Sequence, residues 1–298
     1  MRRAIWALML AGALAGAPVM GQAVDPPRHA THPAANKQLL LPSAGVGLNA
    51  LFFLAAGPEP KPTIILLHGL PGNERNLDLA QAIRRAGWNV LTFTYRGAWG
   101  SPGAFSLANS IEDTAAALAF VRTPDAVARY RIDPRRIVLA GHSMGGANAA
   151  LVAAEADGLA GVALLDAANF SIRAEALAKG GEAEIAKVAA GFDDFGNALA
   201  GSSPDAVARE IAAKGKGWDL VPLAPKLARF PVLSLYAEYG IAAPNKALAA
   251  AIAAQPGARL TVAALPTSHG FEDRRLELGA RLVAWLEGLV AGRGASVR

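Results

Sequence analysis

Six short apolar runs, each followed by a stretch of helical character, limit this chain to very few folds. They lie at residues 63–67, 88–95, 137–140, 161–165, 231–238 and 259–265. Each is continuously apolar rather than alternating, as strands buried on both faces of a parallel sheet must be. Parallel neighbours need crossovers, and helical patterns stand where crossovers are required, at 76–86, 145–156, 245–254 and 271–290. A further helix, ending near Val121, is predicted to open at Ser110 with Asp113 three residues on, in the manner of a capping box. Such crossovers are right-handed, so the expected fold is α/β, a doubly wound, mostly parallel sheet. In sheets of this kind chemistry gathers in the loops at the carboxyl ends of the strands.

The two ends of the pattern read differently. Residues 38–56 interleave apolar runs with Pro42, Gly45 and Gly47, as a β-hairpin ahead of the parallel strands would. Residues 169–229 are rich in Ala, Lys, Glu and Gly and contain no strand pattern, so a helical insertion is expected there. At the start, Arg2 and Arg3 precede an uncharged apolar run from Ile5 to Met20, followed by Gly21, Gln22 and Ala23. That is the layout of a secretory signal cleaved after Ala23. The expected organisation is a signal peptide at 1–23, a Pro-rich linker at 24–35 and one domain at 36–298, exported to the periplasm or the medium.

Composition narrows the chemistry. The chain of 298 residues has no cysteine, which removes disulfides, thiolate catalysis and Cys-based metal sites. Its net charge of +5 includes Arg2 and Arg3, and the remaining basic residues are scattered, so no nucleic-acid partner is implied. There is no dinucleotide fingerprint or phosphate cradle after the first strand, and no cofactor is expected. The Asp193-Asp194 pair has no histidine nearby and reads as a solvated face rather than a metal site.

The most informative carboxyl end follows 137–140, where Gly141-His142-Ser143-Met144-Gly145-Gly146 leads into a helix. Gly-x-Ser-x-Gly between a strand and a helix forms a turn so tight that the residues two before and two after the serine must be small. The serine hydroxyl is then presented at the sheet edge, under the positive end of the helix. A second loop, His68-Gly69-Leu70-Pro71-Gly72, ends the run at 63–67. Of five histidines, His29 and His32 fall in the linker, His68 and His142 in these two loops, and only His269 lies downstream of Ser143, after the last strand.

On these residues the chain resembles the α/β-hydrolase superfamily over nearly all of the sequence beyond the leader. The resemblance implies Ser143 as nucleophile, His269 as base, and the backbone N–H groups of Leu70 and Met144 as the oxyanion hole. His68 is expected to fix its loop. For the acid, relatives usually carry Asp just after the strand at 231–238, where this chain has Tyr236-Ala237-Glu238-Tyr239-Gly240. Glu238 is therefore the preferred acid and Asp166, after the preceding strand, the alternative. Trp99 and Trp218 either pack on an acyl or aryl group or anchor their own segments. The implied activity is cofactor-free hydrolysis of a small carboxylic ester through an acyl-enzyme, with the insertion at 169–229 as a cap. A peptidase or amidase of the same fold, and a binding protein on a decayed hydrolase fold, stand as alternatives.

Overall fold

The computed structural model describes residues 25–291 other than 193, 194 and 196. The leader at 1–23 and the Asp193-Asp194 pair lie outside the described residues. Strands β1 (Ala35–Ser43) and β2 (Val46–Leu54) form a hairpin that pairs Ser43 with Val46. Its two-residue turn puts Ala44 and Gly45 at positive φ, which matches the twist of the flanking strands. The chain then runs through β3 (Lys61–Leu67), α1 (Leu77–Arg85), β4 (Asn89–Phe93), α2 (Leu107–Phe120), α3 (Pro124–Tyr130), β5 (Ile132–His142), α4 (Met144–Glu155) and β6 (Gly161–Leu165). Helices α5 (Phe170–Ala190, broken at Gly181), α6 (Pro204–Lys214) and α7 (Ala224–Leu227) follow. The chain closes with β7 (Pro231–Ala237), α8 (Ala242–Ala253), β8 (Arg259–Leu265) and α9 (Arg275–Val290).

The strands form one sheet in the order β1-β2-β4-β3-β5-β6-β7-β8. Pairing is antiparallel from β1 through β2 to β4 and parallel from there on, so the sheet is mostly parallel, as expected. Apolar side chains cover both faces. Leu67, Leu139 and Leu164 belong to one layer with residues of α2, α4 and α8, while Leu66, Val138 and Leu165 belong to the other with α1 and α9. Alanines 147, 149, 150 and 153 of α4 are buried, and their small size lets that helix lie close on the sheet.

Two local expectations change. Helix α2 is capped by Ser106, whose Oγ accepts from Asn109 N at 3.0 Å, one turn before the expected capping box. Ser110 and Asp113 are consequently interior positions on a buried face, and Asp113 is recruited by Arg96 instead. Helix α9 begins at Arg275, because Phe271 takes a positive φ that no helix tolerates. Among its described residues the segment 169–229 carries the helices α5 to α7 joined by turns and irregular chain, with no strand beyond an isolated bridge of Leu199 to Ala98. It docks on the loop after β4, with Trp99 N donating to Ala198 O at 2.8 Å and Phe105 N to Ala200 O at 2.9 Å. No helix among the described residues is long and apolar enough to cross a membrane.

Candidate active site

Ser143 sits between β5 and α4 with φ 56° and ψ −119°, a conformation that L residues rarely adopt. The surrounding glycines explain how the chain sustains it. A Cβ on Gly141 would lie 2.1 Å from the Gly145 carbonyl oxygen, and one on Gly145 would lie 2.5 Å from the Leu67 oxygen at the end of β3. Both neighbours are backbone and cannot move aside, so the turn exists only with hydrogen at these positions. Ser143 N donates to Leu165 O at 3.0 Å and Ser143 O accepts from Ala168 N at 2.9 Å, fastening the elbow to the end of β6.

The loop after β3 packs against this elbow: a Cβ on Gly69 would come within 3.0 Å of Ser143 Cβ. Leu70 follows in that loop, and Met144 is the first residue of α4, where backbone N–H groups have no partner within the helix. Neither amide is hydrogen-bonded among the described residues. His68 is buried and donates from Nδ1 to Gly69 O at 2.7 Å. Burial pushes its pKa down to about 4, so the ring is neutral and serves to shape the loop.

His269 lies in the loop between β8 and α9, and its Nδ1 is 2.6 Å from Asp166 Oδ2. A carboxylate accepts, so Nδ1 carries a proton, and in the neutral form of the ring this tautomer puts the lone pair on Nε2. Asp166 is fully buried at the end of β6. It also accepts from Ala237 N (3.3 Å), Ile241 N (3.1 Å) and Asn245 Nδ2 (3.3 Å). Four donors around one carboxylate supply the partners a buried anion requires.

This reverses the preference for Glu238. That residue is exposed at the end of β7, where its backbone N–H continues the pairing to Leu265 O, and no side-chain contact ties it to His269. The reason lies two residues further on. A Cβ on Gly240 would fall 2.3 Å from Asp166 Oδ2 and 3.1 Å from His269 Cα. The space in which a carboxylate after β7 would stand is occupied by one reaching across from β6. The same reading overlooked Asn245, buried in α8, which also bonds Ala167 N and O and so holds the chain on the far side of Asp166. A buried-side Asn in an otherwise Ala-rich helix, next to the single charged residue Lys246, was the available signal.

Each tryptophan has a partner in the structure. Trp99, at φ 49°, donates from Nε1 to Pro71 O at 2.9 Å, tying the loop after β4 to the loop after β3. The Arg75 guanidinium lies 5.6 Å from its ring centre. Trp218 packs edge-on against Phe170, 6.0 Å between ring centres, within the helical segment.

A profile of the Alpha/beta hydrolase family matches residues 64–287. The chain belongs to that family. Among its relatives, an uncharacterised protein of Escherichia coli O157:H7, YfhR, is 38% identical over 96 residues, 32% of each chain. The quorum-quenching protein AidA of Acinetobacter baumannii is 32% identical over 136 residues, 44% of this chain and 43% of that one. The matches thus span less than half the length of either relative. In structure, a hyperthermophilic esterase from Pyrobaculum calidifontis superposes with TM-score 0.64 at 19% identity, covering 89% of this chain and 87% of the other. Est1E from Butyrivibrio proteoclasticus, solved with ferulic acid bound, gives 0.63 at 21% identity, with 85% and 99% covered. At such identities the likeness is one of fold.

Proposed function

We propose that this hydrolase is exported and cleaves carboxylic esters of small molecules, with Ser143 as nucleophile, His269 as base and Asp166 as acid. The observation that carries the reading is the 2.6 Å pair of His269 Nδ1 and Asp166 Oδ2 beside a serine held at φ 56°. In the reaction, Ser143 Oγ adds to the ester carbonyl as its proton passes to His269 Nε2. Negative charge gathers on the former carbonyl oxygen, within reach of the Leu70 and Met144 N–H groups, whose direction is fixed before substrate arrives. Collapse breaks the C–O bond, and the alcohol leaves with the proton from His269. Water then adds to the acyl carbon, giving its proton to His269. The carboxylic acid departs as that proton returns to Ser143 Oγ. Asp166 keeps the imidazole in the tautomer that presents Nε2 and stabilises it while it is cationic.

The helical segment 169–229 is the natural cap for the acyl or alcohol group, since it docks on the loop that follows β4. The leader at 1–23 supports export, which N-terminal sequencing of the protein recovered from a periplasmic fraction would test. The activity is tested with a fluorophosphonate probe and p-nitrophenyl esters from acetyl to decanoyl, with a feruloyl ester and an acyl p-nitroanilide for comparison. Labelling and ester turnover that vanish in Ser143→Ala support the reading. Anilide turnover exceeding that of the matched ester would replace it with an amidase, and an unlabelled wild-type protein would refute it.

A further inference from the structure

We infer that His142 is a positioning residue, a hydrogen-bond donor that holds the backbone of His269 against the end of the strand that leads into Ser143. The inference rests on the reading of Ser143 and His269 as nucleophile and base. His142 is the last residue of β5 and precedes Ser143 directly. Its Nε2 lies 2.8 Å from the carbonyl oxygen of His269, 127 residues away in the chain. A carbonyl only accepts, so Nε2 carries the proton. The two imidazoles also lie against each other, 4.6 Å between centres and tilted by 37°, with the Phe271 ring 6.0 Å from His142.

The arrangement gives His269 two anchors of different kinds. Asp166 holds its ring through Nδ1, while His142 holds its main chain through the carbonyl. Among the described residues that carbonyl has no other partner. The rest of the loop is tied elsewhere: Tyr239 N donates to Thr267 O, Phe271 N to Ser268 O, and the Thr267 and Ser268 hydroxyls to Asp273 and Glu272. None of these bonds connects the loop to the elbow. His142 does, and because it is bonded covalently to Ser143, one side chain spans the gap between nucleophile and base. Its opposite edge faces the loop after β3, where a Cβ on Gly69 would come within 3.4 Å of Nδ1. Three loops therefore meet on this ring.

Neutrality is part of the assignment. Burial, and then the nearby charge of His269, push the His142 pKa down to about 4. The ring therefore stays uncharged through neutral pH and does not repel an imidazolium forming on His269. A misplacement of about 1 Å at a reacting group can cost on the order of a hundredfold in rate. A tether on the base's own backbone is where such an error would be corrected.

Two complementary variants of the full chain test this. His142→Phe keeps the ring packing and removes the donor, while His142→Gln gives up the ring and keeps an amide donor. We expect His142→Phe to lower kcat for a p-nitrophenyl ester by about ten- to a hundredfold with KM within about threefold. His142→Gln should recover most of that loss. The far-downfield proton resonance of His269 Nδ1–H, read without turnover, should broaden or move in His142→Phe and return in His142→Gln. A folded His142→Phe with unchanged kcat and resonance, or a Gln variant as impaired as Phe, would overturn the inference. If the wild-type protein fails to react with ester or probe, the catalytic reading falls by itself, and the resonance still decides whether His142 holds His269.

Discussion

Asp166 and His269 are 103 residues apart in the chain and 2.6 Å apart in space, joined Oδ2 to Nδ1. Nothing else in the site discriminates so clearly between its two candidate acids. Asp166→Asn should lower kcat by about ten-thousandfold, since an amide can no longer hold the imidazole in the tautomer that presents Nε2. Glu238→Gln should leave kcat within about twofold, as expected for an exposed surface side chain. Steady-state kinetics on a single p-nitrophenyl ester separate them, and equal losses in both variants would contradict the assignment.

The contrast marks where the sequence could be read and where it could not. The strands of the parallel half were legible as continuous apolar runs, buried on both faces in β3, β4, β6 and β7 but only half-buried in the edge strand β8, and the limits at 161–165 and 259–265 agree with β6 and β8 to the residue. The elbow was legible because steric necessity leaves a local pattern, Gly141 and Gly145 flanking Ser143. The carboxylate partner of His269 was not, because it depends on which of two neighbouring strands reaches that ring, and the contact with Asp166 is made between residues far apart in the chain. Gly240 carried the relevant information, since a position without Cβ beside His269 is one that another group must approach. The capping box at Ser110 failed for a related reason. Ser106 three residues before Asn109 provides the real cap, and Asp113 was already committed to Arg96.

Gly141→Ala and Gly145→Ala should both fail through the backbone. Their methyl groups would fall 2.1 and 2.5 Å from carbonyl oxygens of the elbow and of β3. Overpacking against atoms that cannot rotate away should cost about 3 kcal/mol or more. Urea denaturation of each variant measures that cost. The same experiment on Gly257→Ala is a control for glycine replacement alone, since that site has positive φ but open space around it.

Acid should weaken the fold through its two buried histidines. His68 and His142 both have pKa values lowered by burial to about 4, from 6.5. Between those values the unfolded chain binds protons that the native state refuses, so stability falls as pH drops from about 6.5 towards 4 and is fully present above that window. Each ring contributes about 3 kcal/mol across the full interval. Urea unfolding at pH 7 and pH 4.5 should therefore show a smaller acid loss for His142→Gln than for the wild-type protein. Parallel curves would mean that His142 is not buried and neutral.

The loop that carries Trp99 depends on one interior ion pair. Arg96 donates from Nε to Asp113 Oδ1 at 2.7 Å and from its backbone N to Oδ2 at 2.8 Å, while Ser43 Oγ donates to the same Oδ1 at 2.6 Å. Asp113 is fully buried, and Arg96 reaches Glu112 only with its outer nitrogen, at 2.6 Å. Removing the inner carboxylate leaves a guanidinium and a hydroxyl in the interior with their acceptor gone, a change that costs about 3–5 kcal/mol when a buried pair is broken from one side. Asp113→Ala should fall in that range by urea denaturation. It should also raise KM more than it lowers kcat, because the loop it frees docks the helical segment through Trp99 N and Phe105 N rather than touching Ser143. Asp113→Asn keeps an acceptor for Arg96 Nε and should lose about half as much. A variant that loses stability in full but leaves KM unchanged would show that the loop and the docked helices keep their places without this pair.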